Sequence, residues 1–502
     1  MSEQTIKINW WSEKAVWIML LLGFSAGIPI LLIFSTLSLW LTEAGVEKSA
    51  VTYFSWAALG YSFKFVWAPL VDKIPLPILT QMLGRRRGWL LLSQFAVIAS
   101  IAWMALIDPQ VGLTTMAFAA VALGFSSATQ DVVIDAFRVE SADPRLQAML
   151  SSTYVAGYRV AMQMFAGAGA LFLAEYLGSS SEVYRYEAWR DTYLCMAAVM
   201  LVGVLTTLFV SEPKEASSKD YPYSTQDYLR FFFVFALSLV VFISVLAFKP
   251  ELSQVLTGYQ QTLLAFGYGA TTLSIALAAA FYTATLCLKL GFVNAEMVYQ
   301  GYQAPITDFM QRYGKLALWV LLLIGFYRVS DIVMGVITNV FYVDMGYTKS
   351  QIASVTKLFG VLVTIGGSFL GGLLALKYGV MRILMLGAIL VAATNLLFMW
   401  LAGVEPKITY LTFVIVADNL AQGIAVAAFI AWLSSLTNVS FTATQYAIFS
   451  SLMTLFPKLL GGYSGTLVDS IGYANFFLIA SCLGLPVIAL IYFLRTKLVM
   501  SE

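Results

Sequence analysis

The chain has 502 residues, 60% of them hydrophobic and only 11% charged, with a mean hydropathy of +0.83. A soluble domain carries about 25% charged residues, so neither a soluble core nor a single anchor accounts for this composition, whereas many membrane spans do. The net charge of +2 gives no reason to expect nucleic acid as a partner, and lipids are expected instead.

The first apolar run follows a short polar N-terminus without a small-residue cleavage site, so it is read as a retained span and not as a signal peptide. Runs long enough to span lie at 15–40, 50–71, 88–107, 113–138, 147–177 and 188–210. A polar break at 211–230 precedes two more, at 231–248 and 262–293. A second polar break at 294–315 precedes a last group at 316–343, 351–376, 382–403, 409–436, 442–469 and 473–495. The expected fold is an all-α polytopic membrane protein of fourteen spans. It has an N-terminal six-helix half (1–210), a central linker with two extra transmembrane helices (211–315) and a C-terminal six-helix half (316–502). Lysine and arginine crowd the segments on the side of the N-terminus, which places both termini in the cytoplasm.

The two groups of six repeat one another. Glu43-Ala-Gly-Val-Glu-Lys-Ser49 parallels Asp344-Met-Gly-Tyr-Thr-Lys-Ser350, and Ala148-x-x-Ser-Ser152 followed by Arg159 parallels Ala447-x-x-Ser-Ser451 followed by Lys458. Asp131 in the fourth span stands opposite Asp418 in the tenth. An offset that stays near 300 residues over several spans, with an even number of spans per unit, is the parallel-repeat plan of a secondary transporter with its site between the halves.

Charges inside the spans mark that site, because an ionisable group in a spanning helix faces a protein interior or a water-filled cavity. Asp131 and Asp135 lie one turn apart on one helix face. Lys64, Arg159, Arg328, Lys357 and Lys458 are basic, and Asp331 and Asp418 complete the acids. The basic excess suits an anionic substrate, and one of the acids would exchange protons. A plainer reading lets these groups pair and lock the bundle, and Asp135 with Arg138 suits a helix-end pair. With no histidine, any proton coupling must use carboxylates. Cys195, Cys287 and Cys482 are too scattered for a metal site or a disulfide framework, and the sequence holds no set of catalytic residues, so no cofactor and no enzyme activity are expected.

After the second span, Asp72-Lys73 and Gly84-Arg-Arg-Arg-Gly resemble the G-x-L-a-D-r-x-G-r-[RK] loop of the major facilitator superfamily. Asp72 facing Arg85, Arg86 and Arg87 would latch one side of the bundle, although positive-inside anchoring alone also accounts for the arginines. Gly84-Arg-Arg-Arg-Gly-Trp-Leu, Gln130-Asp-Val-Val-Ile-Asp-Ala, Gly157-Tyr-Arg, Ala304-Pro-Ile-Thr-Asp-Phe, Tyr327-Arg-Val-Ser-Asp331 and Ser440-Phe-Thr-Ala-Thr-Gln-Tyr446 together resemble the AmpG muropeptide permeases, within the peptide/acetyl-coenzyme A transporter family. The resemblance covers nearly the whole chain outside 211–300. It implies proton-dependent import of N-acetylglucosamine–1,6-anhydro-N-acetylmuramic acid, with or without peptide, across the bacterial inner membrane. That import serves peptidoglycan recycling and, where the regulator exists, β-lactamase induction.

Residue by residue, the resemblance carries roles to Gln130, Asp131, Asp135, Arg159, Arg328, Asp331 and Gln445. Arg328 stands where the family expects lysine, and Asp418 where it expects glutamate. The expected set is therefore Asp131, Asp331, Asp418 and Asp135 for proton coupling, and Lys64, Gln130, Tyr158, Arg159, Arg328, Lys357, Gln445 and Lys458 for substrate. The chain is expected to act as a monomer. A transporter of another anion, such as acetyl-coenzyme A or a siderophore, and a transport-inactive sensor are the alternatives.

Overall fold

The computed structural model describes residues 13–46, 54, 59–142, 146–180, 183–213, 223–247, 259–461 and 464–498. Among them there is no β-strand, and ten helical stretches are long and apolar enough to cross a membrane. The described residues within Met1–Ala68, Leu76–Lys219 and Met310–Glu502 form one compact unit, and those within Pro69–Pro75 and Asp220–Phe309 form a second. In the second unit Thr225–Ala247 packs against Tyr259–Lys289, and Phe232, Phe233 and Phe281 remain exposed.

In the first unit the apolar runs become helices whose ends follow local chemistry. Asp108 accepts the Gln110 backbone N–H at 3.0 Å and Pro109 fills the first turn, which starts Pro109–Ser141. The helix Arg85–Ala105 follows Gly84, whose φ of 91° suits glycine. Its first free N–H groups, at Arg86 and Arg87, donate to the Glu212 carboxylate at 2.7 and 3.0 Å. Small residues set the crossings. A Cβ on Gly27 would strike the Tyr158 carbonyl and one on Gly157 the Leu20 carbonyl, so Lys14–Ile33 lies directly on Gln147–Arg159. Gly367 and Gly371 bring Gly360–Tyr378 equally close to Ile408–Leu436.

Several helices depart from α geometry at the basic residues singled out above. Lys64 opens a 3₁₀ turn, Lys64–Val66. Arg159 is followed by a π-helical stretch, Val160–Gly169. Arg328 sits in the break between Ala317–Phe326 and Val329–Asp344. Lys357 lies within a second π stretch, Ala353–Phe359, and Lys458 follows the proline inside Thr442–Gly461. Such departures free backbone groups and concentrate at functional positions.

The sequence pattern differs from the structure at two places. The second polar break contains the helix Ala304–Tyr313, whose buried residues Ala304, Pro305 and Phe309 give it one apolar face that hydropathy averaging hides. Near the C-terminus the expected gap at 470–472 is a single kink, where Gly472 with φ 79° breaks Ser464–Cys482.

Candidate functional site

Four stretches build the N-terminal side of the site. Tyr61 donates to the Ser127 hydroxyl at 2.7 Å and the Trp67 indole to the Thr129 hydroxyl at 3.1 Å, which fixes Lys64 against Pro109–Ser141. Lys64 Nζ lies 3.5 Å from Asp135 Oδ2, and Arg138 Nη1 lies 3.2 Å from Asp135 Oδ1. All three are buried. Asp131 is also buried but forms no hydrogen bond or ion pair among the described residues. Around it stand Lys64 and Asp135 and the phenols of Tyr61, Tyr154 and Tyr158. Half-buried Arg159 follows Tyr158.

The C-terminal side faces it with a different arrangement. Arg328 Nη2 lies 2.7 Å from Asp331 Oδ2, and the buried Arg328 Nε has no hydrogen-bond partner among the described residues. Arg159 of the N-terminal half has Arg328 and Asp331 among its charged neighbours, so guanidinium groups from the two halves share one neighbourhood with Asp331. Tyr327, Arg328, Ser330, Asp331 and Gln422 line a small cavity of about 20 Å³. Asp418 accepts the Thr394 hydroxyl at 3.0 Å and the Gln422 amide at 2.8 Å.

A charge cluster lies further along the same helices. Arg86 Nη2 and Arg85 Nη2 lie 2.6 and 3.4 Å from Glu140 Oε1, all fully buried. Arg86 also donates to the Thr442 hydroxyl at 2.6 Å, and Thr442 bonds Glu140. Nearby, Arg138 reaches the Ser434 hydroxyl at 3.4 Å and lies over the Tyr446 ring at 4.9 Å. Ser152 donates to the Ser368 carbonyl at 2.8 Å, and a Cβ on Gly372 would collide with Ser152. The two halves thus meet through Thr442, Ser434, Tyr446 and Gly372.

A sequence profile described as Major Facilitator Superfamily matches residues 19–326. The chain belongs to this superfamily. It is a membrane transporter and not an enzyme. This superfamily member is similar along nearly its whole length to proteins named AmpG. It is 29% identical over 477 residues to the putative transporter AmpG 4 of Rickettsia conorii, covering 95% of each chain. It is 27% identical over 501 residues to the anhydromuropeptide permease of Escherichia coli K12, covering 99% of this chain and 83% of the relative. Among solved structures, the proton:xylose symporter XylE matches with a TM-score of 0.60 at 13% identity, over 95% of this chain and 94% of its own. The human organic anion transporter MFSD10 matches with a TM-score of 0.55 at 14% identity, over 95% and 98%. These two share the fold.

In this major facilitator chain the structure brings Lys64, Asp131, Asp135, Tyr158, Arg159, Arg328 and Asp331 towards one another, with Asp418 beside Asp331. Gln130 turns elsewhere: its amide donates to Ser25 at 2.8 Å, in the first helix. The Gln445 carbonyl accepts from Arg312 at 3.1 Å and from the Asn438 backbone at 2.7 Å, at a helix start. The side chains of Lys357 and Lys458 lie outside the described residues. Of the expected latch, Arg87 holds the Thr207 and Leu208 carbonyls at 3.0 and 2.8 Å, and Asp72 is buried in the second compact unit. Sequence reading did not name Glu140, Thr394, Gln422 or Thr442. The one available signal was an acid, Glu140, just past Arg138 at the close of an apolar run.

Proposed function

We propose that this chain imports anhydro-muropeptides, a disaccharide of N-acetylglucosamine and 1,6-anhydro-N-acetylmuramic acid with or without peptide, across the bacterial inner membrane for peptidoglycan recycling. Uptake is coupled to protons, and the chain works as a monomer with both termini cytoplasmic. Residues 1–210 and 316–502 act as the alternating halves of a fourteen-span protein, and 211–315 contribute two helices outside the site. Lys64, Tyr158, Arg159 and Arg328 take the anionic and polar groups of the substrate, aided by Gln130, Lys357, Gln445 and Lys458. Asp131, Asp135, Asp331 and Asp418 are the pool from which the coupling acids come. Asp72 and Arg85–Arg87 belong to the latch.

The observation that carries this reading is that Arg159 and Arg328, from opposite halves, are charged neighbours and both have Asp331 as their acidic neighbour. Two cations with one counter-charge leave room for a substrate carboxylate, such as a lactyl or peptide group, and a ligand held by both arginines draws the halves together. The nearly full-length similarity to the anhydromuropeptide permease of Escherichia coli supports the substrate class. The test is counterflow uptake of labelled anhydro-muropeptide into vesicles, with and without a proton ionophore. Gradient-driven accumulation that the ionophore abolishes is expected. Transport of a small anion with no uptake of the disaccharide overturns the reading.

A further inference from the structure

We infer that each half carries its own proton site, Asp131 in one and Asp418 in the other, so that two protons accompany each substrate. The inference rests on the reading of the chain as a proton-coupled importer and sorts its four acids by their partners. Asp135 is held by Lys64 at 3.5 Å and Arg138 at 3.2 Å, and Asp331 by Arg328 at 2.7 Å. These two are engaged in ion pairs. Asp131 and Asp418 are equally buried, yet neither lies within ion-pairing distance of a lysine or arginine among the described residues.

Their surroundings agree. Around Asp131 are Lys64, already engaged by Asp135, then Asp135 itself, and the phenols of Tyr61, Tyr154, Tyr158 and Tyr446. Around Asp418 are the neutral donors Thr394 and Gln422, the Tyr342 phenol and the acid Asp331. A carboxylate in a spanning helix without a cation is costly, and a bound proton removes that cost. The two residues occupy the fourth and tenth expected spans, Asp131 near the end of Pro109–Ser141 and Asp418 near the start of Ile408–Leu436. In the cycle one O–H bond forms on each carboxylate on one side of the membrane and breaks on the other. A monoanionic substrate then enters with one net positive charge.

Infrared spectroscopy of the full-length protein in lipid vesicles, without substrate, tests this. Two protonated-carboxyl C=O bands are expected. Asp131→Asn and Asp418→Asn each remove one, whereas Asp135→Asn and Asp331→Asn remove neither. Asp131→Glu and Asp418→Glu keep the band at a shifted frequency, which separates loss of the acid from loss of the fold. The inference is overturned if Asp418→Asn leaves both bands, or if Asp135→Asn or Asp331→Asn removes one. Because no substrate is added, its failure leaves muropeptide import standing, and failed uptake leaves the bands unchanged.

Discussion

The two halves of the bundle manage buried charge differently. In the N-terminal half Lys64, Asp135 and Arg138 form one chain of ion pairs, and Arg85, Arg86 and Glu140 another. In the C-terminal half Arg328 and Asp331 pair, while Asp418 relies on a hydroxyl and an amide. Near Thr442 and Tyr446 the N-terminal half offers arginines already paired with its own acids, and the C-terminal one offers hydroxyls and a ring, at Thr442, Ser434 and Tyr446. Those ion pairs therefore survive when the halves separate, and only weaker contacts break. That stretch of the seam opens without separating the opposite charges of these pairs in a low-dielectric interior.

The sharpest way to break this comparison is to remove the acid that neutralises the N-terminal arginines. Glu140→Gln takes the carboxylate away from Arg85 and Arg86, both buried, and is expected to lower stability by about 3–5 kcal/mol, seen as the largest fall in melting temperature of the series in detergent. Gly372→Ala leaves every charge in place but drives a Cβ into Ser152 across the seam. An overpacking cost of about 1–3 kcal/mol is expected. Spin labels on the two halves should then report a wider separation on the side of Thr442. Thr442→Val removes one crossing hydroxyl and keeps the Arg86–Glu140 pair. It should leave melting nearly unchanged and shift the balance of conformers by about 1 kcal/mol, about fivefold, in the same distance measurement. The smallest effect is expected from Glu187→Gln, whose partner Arg185 lies 3.9 Å away in solvent. No change in melting is expected there, because exposed pairs contribute little.

Much of this was legible in the sequence. Hydropathy adds along the chain, so most apolar runs became helices, and the acids Asp131, Asp331 and Asp418 stood out because their neighbours are apolar. Partners were harder to read. Glu140 meets Arg86 across 54 residues, and no local pattern links them. Direction around a helix was hard as well: one residue turns the side chain by about 100°, which sends Gln130 to Ser25 while Asp131 stands among the site phenols. The π stretches were not legible at all, since packing between helices sets them rather than propensity.

Those stretches carry a consequence of their own. Lys64, Arg159, Arg328, Lys357 and Lys458 each stand where the regular hydrogen-bond ladder loosens or changes step. Amides in and beside such turns exchange their hydrogens faster than those of an unbroken helix. Deuterium uptake should therefore trace the substrate path through an otherwise protected bundle. An anion that ties these cations together would stiffen the same turns, so that occupancy is read as slowed exchange of the amides around them.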